Sequence, residues 1–327
     1  MIISRTPFRI SFAGGGSDLP SYYRHARGAV VSSTIDQSMY VTVNERFDDS
    51  IRVSYTKTEI VDRADDLQHE IVRACLRKLG IDRKVEITTI ADIPAGTGLG
   101  SSSTLTVGLL NALHAYAHRF AGAERLAVEA CEIEIEALGK PIGKQDQYAA
   151  AFGGLNYIEF RADESVLVEP IVCTPATRRH LDESLLLFYT GIRRQADDIL
   201  SEQKKRTEEG KTTERLAKLV EMADELRAAL WGNRPRAMGE ILHEAWMVKR
   251  EIASGITYPQ IDAWYEEARA AGAVGGKLLG AGGGGFLLLY CEPEDQRRLR
   301  ARMAEVGLRE VEFTLEGEGS RIIFVEE

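Results

Sequence analysis

No apolar run in the chain approaches the roughly 20 residues of a membrane-spanning helix, so no transmembrane segment is expected. The opening MIISRTPFRI lacks a long apolar core, and no secretory signal peptide is expected either. Cysteine is scarce. Cys75, Cys131, Cys173 and Cys291 lie far apart with no CxxC pair, which predicts buried thiols in a reducing cytoplasm and argues against a disulfide framework. Positive charge is also short. The formal net charge of −9 argues against the basic face of a nucleic-acid binder, though not against a local basic pocket. Apart from His243, whose role stays open, the histidines show no metal-ligand spacing. There is no internal repeat and no low-complexity tract, and the phosphate-binding pattern GxxxxGK[ST] is missing.

What remains is a 327-residue chain of ordinary apolar content, long enough to bury a sizeable core. Alternation predicts strands at FRISFA, AVVSST and MYVTVNE, a helix near 65–80 and a strand at VEITTIA. Helices are expected at 101–120, 122–139 and 145–152, with a strand at GLNYIEF. A second half begins near residue 175. It opens with a strand, SLLLFYT, and continues with charged helices at about 194–209, 212–231, 235–253 and 259–271. GFLLLYC, a helix near 294–305 and the strands VEFTL and RIIFV close it. Strands and helices alternate as in an α/β or α+β protein.

Three glycine clusters interrupt this pattern. The densest is PAGTGLGSSS, residues 94–103, directly ahead of a helix. A helix start carries unpaired N–H groups and a partial positive charge, and glycines let a backbone close around an anion. The serines can cap the helix or reach a metal or phosphate oxygen. In the second cluster, GKLLGAGGGGF, the residues Gly280, Gly282 and Gly285 satisfy GxGxxG. A strand follows them, whereas a dinucleotide site needs a helix there, so a tight turn near a ligand is the better reading. The third, RTPFRISFAGGGSDLP, runs a strand into three glycines and an aspartate, as at many binding-site rims and many plain turns.

The acids add to this. On a helix at 122–139, Ala127, Cys131, Glu134 and Leu138 share one face, while Glu129, Glu132 and Glu136 fall on a wet one. Glu134 is thus a carboxylate on an apolar stripe and needs a cation, either in a core salt bridge or elsewhere. Asp146 sits near the start of the next helix, where N–H groups favour an anion; a plain N-cap is its other reading.

With the three clusters in this order and the Glu134–Asp146 pair between the second and third, the chain resembles the GHMP kinase superfamily over nearly its whole length. The motifs are TPFRISFAGGGSDL, PAGTGLGSSS and KLLGAGGGGF. Within it, RISFAGGGSD, GKQDQYAAAFGG, LFYTGIRR and GGKLLGAGGGGF are most similar to the D-glycero-D-manno-heptose 7-phosphate kinases, which use ATP to phosphorylate the anomeric O1 on the route to GDP-heptose and bacterial surface polysaccharides. The resemblance implies an α+β fold of two domains. Residues 1–175 would form an α/β domain with a left-handed βαβ crossover, and 176–327 a ferredoxin-like domain, with the substrate in the cleft between them. It implies a cytoplasmic enzyme using ATP and Mg²⁺ on a sugar phosphate, with no nucleic-acid or membrane partner, and it is compatible with a homodimer.

Roles follow residue by residue. The loop Pro94, Gly96, Thr97, Gly98, Leu99, Gly100, Ser101, Ser102 and Ser103 would cradle the triphosphate. Ser102 and Glu134 would hold Mg²⁺. Asp146 would act on the sugar hydroxyl as base or electrostatic stabiliser, paired with Arg9. Asp18 would bind sugar hydroxyls, with Gly14, Gly15, Gly16 and Ser17 around it, and Gly282 and Gly283 would close the site. Galactokinases carry a Gly-Glu-His-Thr-Asp run where this chain has Gly14-Gly15-Gly16-Ser17-Asp18. Galactose is therefore disfavoured and a larger sugar has room. For a substrate phosphate, Arg193 and Arg194 after a strand end suit bidentate recognition, with Lys144 next and Lys249 and Arg250 as weaker candidates. Trp246 reads as core. A kinase of an unphosphorylated sugar such as fucose, or a non-kinase relative on this scaffold, are the competing readings.

Overall fold

The structure is a computed structural model that describes residues 1–193 and 196–326. Arg194 therefore lies outside the described residues.

The alternating opening forms β1 (Ile2–Ala13), with Phe8, Ile10 and Phe12 fully buried. A short α1 (Pro20–Tyr23) leads to β2 (Gly28–Glu45), one continuous strand where the sequence pattern shows two segments. Then come β3 (Ile51–Ser54), β4 (Thr58–Val61), α2 (Glu70–Leu79), β5 (Val85–Ala91) and α3 (Ser101–Tyr116). The helix expected at 122–139 is in two parts: α4 (Ala123–Cys131) and a π-helical turn, Glu132–Ala137. Next are α5 (Gln145–Phe152), β6 (Leu155–Phe160) and β7 (Val166–Pro170). The second half holds α6 (Pro175–Ser184), β8 (Leu185–Tyr189), α7 (Ala196–Glu208), α8 (Thr213–Trp231), α9 (Ala237–Lys249) and α10 (Pro259–Ala270). It ends with β9 (Gly275–Leu278), β10 (Phe286–Tyr290), α11 (Gln296–Glu305), β11 (Arg309–Val311), β12 (Leu315–Glu316) and β13 (Arg321–Val325).

The strands make two sheets. In the larger, the order β13-β1-β2-β5-β3-β4 runs through β2, whose length lets it pair with β6 along Gly28–Ser33 and with β5 along Met39–Glu45. β3 and β5 are parallel, with β4 and α2 on the connection between them. The smaller sheet has the order β11-β8-β10-β9 with every neighbour antiparallel. Numbered within that sheet the order is fourth, first, third, second, the arrangement of a ferredoxin-like fold.

Sheet membership changes between β7 and β8, then changes back. VEFTL is not one strand, because Val311 ends β11 in the small sheet and Leu315 begins β12 against β2. β13 then pairs with β1 at the edge of the large sheet. α8 and α9 also pack on β1, so the two halves share a seam along that strand. Glu129 is a further departure from expectation. It does not face water but lies 2.6 Å from Nε2 of the buried His114 and accepts from Arg125 Nε at 2.8 Å. Trp246 is fully buried, as expected.

Candidate active site

A cavity of about 610 Å³ opens where the two sheets' loops meet, lined by parts of all three glycine motifs. Interfaces of this kind are where ligand sites are commonly found. Its floor is the N-terminus of α3. Gly100 occupies the cap position at φ 78°, a left-handed conformation that a side chain would strain. Among the described residues no side chain caps this helix, so the serines do not serve as caps and the first-turn N–H groups stay available to a ligand. Beside it, a Cβ on Gly98 would lie 2.7 Å from the Leu279 carbonyl oxygen, so the second and third motifs pack backbone to backbone.

Arg9 ties the first motif to this floor. It is only 4% exposed, and its Nε and Nη2 donate to the two carboxylate oxygens of Asp146, each at 2.7 Å. Nη1 donates to the Gly98 carbonyl at 2.7 Å. Asp146, in the first turn of α5, also accepts from the Gln145 amide at 3.1 Å. The carboxylate is thereby fixed at the cavity wall with both oxygens oriented by donors. Asp18 is buried beside it. Its oxygens accept from the backbone N–H of Gly16 (3.0 Å) and of Gln145 (3.2 Å), and burial followed by the Asp146 charge raises its pKa.

Glu134 is fully buried, and the π-helical turn carries it to Ser102. The Ser102 hydroxyl donates to Oε1 at 2.5 Å and the Gln147 amide to Oε2 at 2.8 Å. Burial pushes its pKa up, against the pull of Ser102, Ser103, Gln147 and the Lys140 charge. Among the described residues no Lys or Arg forms an ion pair with it. Lys140 pairs with Glu70 at 3.2 Å and donates to the Ser102 hydroxyl at 3.3 Å. An oxygen-only pair, one of them a buried carboxylate without a paired cation, suits a hard divalent ion. No group of three or more His, Cys, Asp or Glu suited to a metal occurs among the described residues, so such an ion would complete its shell with water and ligand oxygens.

The sequence-derived residues separate into two sets. Arg9, Gly15, Gly16, Asp18, Gly96, Gly98, Gly100, Ser101, Ser102, Ser103, Asp146 and Gly282 line the cavity. Gly14, Ser17, Pro94, Thr97, Leu99 and Gly283 do not line it; Ser17 holds its loop by donating to the Gly14 and Ala29 carbonyls. Of the described phosphate-clamp candidates, Arg193, Lys144 and Arg250 fall elsewhere. Arg193 is exposed, with Nε 3.4 Å from the Tyr189 hydroxyl, and does not line the cavity. Lys144 is paired with Glu164 at 2.6 Å and rests over the Tyr23 ring, and Arg250 faces Asp262 at 3.6 Å.

Among the described candidates, Lys249, a minor one in the sequence, is the one brought inside. It lines the cavity, is 7% exposed, and donates to the Gly280 carbonyl at 2.7 Å. Burial and the Arg9 charge push its pKa down to about 8, while Asp18 and Asp146 pull the other way. Burial, followed by the Lys249 and Arg9 charges, also holds the pKa of the neighbouring Lys277, which donates to the Phe12 carbonyl at 3.2 Å, well below its ordinary value. Lys140 and the α7 residues Asp197, Leu200 and Gln203 also line the cavity and were missed. In sequence they look like an ordinary solvated charge pattern.

The chain is similar to known proteins along most of its length. The GHMP kinases N terminal domain model matches residues 66–154, and the GHMP kinases C terminal model matches 222–308. The chain is 31% identical, over 97% of each sequence, to a D-glycero-alpha-D-manno-heptose 7-phosphate kinase of Campylobacter jejuni. It is 27% identical over 98% of its length to an L-fucokinase/L-fucose-1-P guanylyltransferase of Bacteroides fragilis, of which it spans 38%. The crystal structure of a D-glycero-D-manno-heptose 1-phosphate kinase from Bacteroides thetaiotaomicron superposes with a TM-score of 0.83, at 26% identity and complete coverage of both chains. Among the described residues no helix is long and apolar enough to cross a membrane.

Proposed function

The chain belongs to the GHMP kinase family, and we propose that this ATP-dependent sugar phosphotransferase acts on the anomeric O1 of D-glycero-D-manno-heptose 7-phosphate to give the 1,7-bisphosphate. The observation that carries the reading is the Arg9–Asp146 pair, held at the cavity wall between the uncapped start of α3 and the first glycine cluster. The α3 N–H groups and Ser101–Ser103 would receive the triphosphate. Asp146 would face the acceptor hydroxyl and take its proton as the oxygen attacks the terminal phosphorus and ADP departs. Phosphoryl transfer asks little more of a protein than this positioning and charge compensation. Ser102 and Glu134 would hold Mg²⁺, which would supply positive charge to the phosphate oxygens. Proton-coupled phosphorus NMR of the product tests the position of transfer: a new phosphomonoester coupled to the anomeric proton supports it, and a phosphate on any other carbon contradicts it.

Lys249 supports an anionic acceptor. Of the Lys and Arg residues lining the cavity, Arg9 is committed to Asp146 and Lys140 to Glu70 and Ser102, whereas the hydrogen bond of Lys249 goes to a neutral carbonyl. Its ammonium is charged below its pKa of about 8 and neutral above it. Affinity for the sugar phosphate should therefore be flat below about pH 8 and fall by up to about tenfold per pH unit above it. Lys249→Met should raise the sugar-phosphate KM and flatten that profile, measured as KM from neutral to alkaline pH. A wild-type profile that stays flat through pH 9 would contradict the role.

A kinase of an unphosphorylated sugar is the second reading. It is favoured by the placement of Arg193 and Lys144 outside the cavity and by the fucokinase relative.

A further inference from the structure

Asp197, Leu200 and Gln203 lie three residues apart on α7 and form one stripe that faces the cavity. Gln203 stands out within it. In a helix that reads ADDILSEQKKRTE, it is 2% exposed, and its Nε2 finds no hydrogen-bond partner among the described residues. A buried amide without a partner is costly, and native structures rarely keep one without a purpose. Among the described residues the nearby polar groups bond elsewhere: Ser11 donates to Gln145 at 2.7 Å, Asp18 accepts from Gly16 and Gln145, and Lys249 donates to Gly280.

The amide also touches the first glycine cluster. A Cβ on Gly16 would lie 2.2 Å from Gln203 Nε2, so a residue with a side chain there would displace the amide. Gln203 thus sits directly against the backbone on which a sugar would rest. The charges nearby decide which part of the acceptor it would meet. Lys249, the cation assigned to the phosphate above, meets the cluster at Gly15, 3.5 Å from where a Cβ would stand, whereas Asp197 lines the cavity from Gln203's own helix and disfavours a phosphate beside it. A carboxamide offers both donors and an acceptor, which suits hydroxyls.

We propose that Gln203 hydrogen-bonds a hydroxyl of the acceptor's uncharged polyol portion and is a specificity-determining residue of the site. The inference rests on the sugar-kinase reading above. Sites built to hydrogen-bond a substrate hydroxyl discriminate strongly, because an analogue lacking the group leaves a buried polar atom unpaired.

The test compares wild type with Gln203→Leu and Gln203→Glu, reading KM for the sugar phosphate and for ATP, and relative kcat/KM across epimeric and deoxy sugars. Gln203→Leu should raise the acceptor KM by about 10- to 100-fold and keep the ATP KM within about twofold. It should also narrow the preference between sugars. Gln203→Glu removes the Nε2 donor and adds a charge on the stripe with Asp197, so it should raise the acceptor KM at least as much as Gln203→Leu while sparing the ATP KM. An unchanged acceptor KM in Gln203→Leu, or acceptor and ATP KM values rising together with a lowered melting temperature, would overturn the role and leave the kinase reading intact. Failure of the wild-type chain to phosphorylate any sugar would remove both.

Discussion

Asp146→Asn is expected to lower kcat by about 10²- to 10⁴-fold while the ATP KM stays within about twofold. The substitution preserves size and the first turn of α5, so ATP binding at the start of α3 has no reason to change. It removes one of the two oxygens that now accept from Arg9 at 2.7 Å. The new amide also cannot take a proton from an attacking hydroxyl. Two donors of Arg9 then compete for one remaining oxygen, which disturbs the charge balance next to Lys249 as well. Steady-state kinetics with calorimetric ATP binding separate the two effects. Near-wild-type turnover would take Asp146 out of the chemistry, and loss of ATP binding in step with kcat would show a damaged fold instead.

Glu134→Gln should act on activity and stability in opposite directions. Loss of the buried carboxylate should reduce kcat/KM for Mg-ATP on the order of 10²-fold, equivalent to a few kcal/mol of lost charge compensation. The ligand-free protein should nevertheless melt a few degrees higher, because burial of this anion is unfavourable in the absence of a metal. The replacement has a ready partner: Gln147 Oε1 is buried without a hydrogen bond, so a flip of that amide lets it accept from the new one. The pH dependence has a definite sign. The folded-state pKa of Glu134 is raised above the ordinary value of 4.5, so the native state holds the proton more tightly than the unfolded state. This group's contribution to stability therefore falls as pH rises from about 4.5 through its folded value, and that slope should be missing from the variant. Thermal melts across that range test it. A variant that melts lower at neutral pH, with full Mg-ATP activity, would leave Glu134 as a purely structural residue.

Both predictions concern residues that the sequence makes visible, and the reason is physical. Asp146 is visible as an acid at a helix start beside a glycine-containing turn, whereas Arg9 lies inside the alternating strand FRISFA and is marked only by the resemblance that the glycine motifs carry. Glu134 is visible as an acid on an apolar face, although the π-helical turn that carries it to Ser102 leaves no periodic trace. Other features depend on contacts between distant segments. Gln203 is an ordinary polar residue in a charged helix until α7 meets Gly16. Lys249 and Lys144 look alike in sequence. One is buried by the seam between the halves and the other is neutralised by Glu164. The longer strands are legible from alternation and their division into two sheets only from the resemblance, while the return of β12 and β13 to the large sheet is a long-range pairing that no local pattern encodes.

The central claim is a heptose 7-phosphate acceptor, and the most direct measurement is ADP release with Mg-ATP across D-glycero-D-manno-heptose 7-phosphate, the free heptose, fucose, galactose, mannose 6-phosphate and mevalonate. A strong preference for the heptose phosphate over the free heptose is the expected result. Equal turnover of the free sugar, or a preference for fucose, would contradict the anionic acceptor and assign the cavity to an unphosphorylated one.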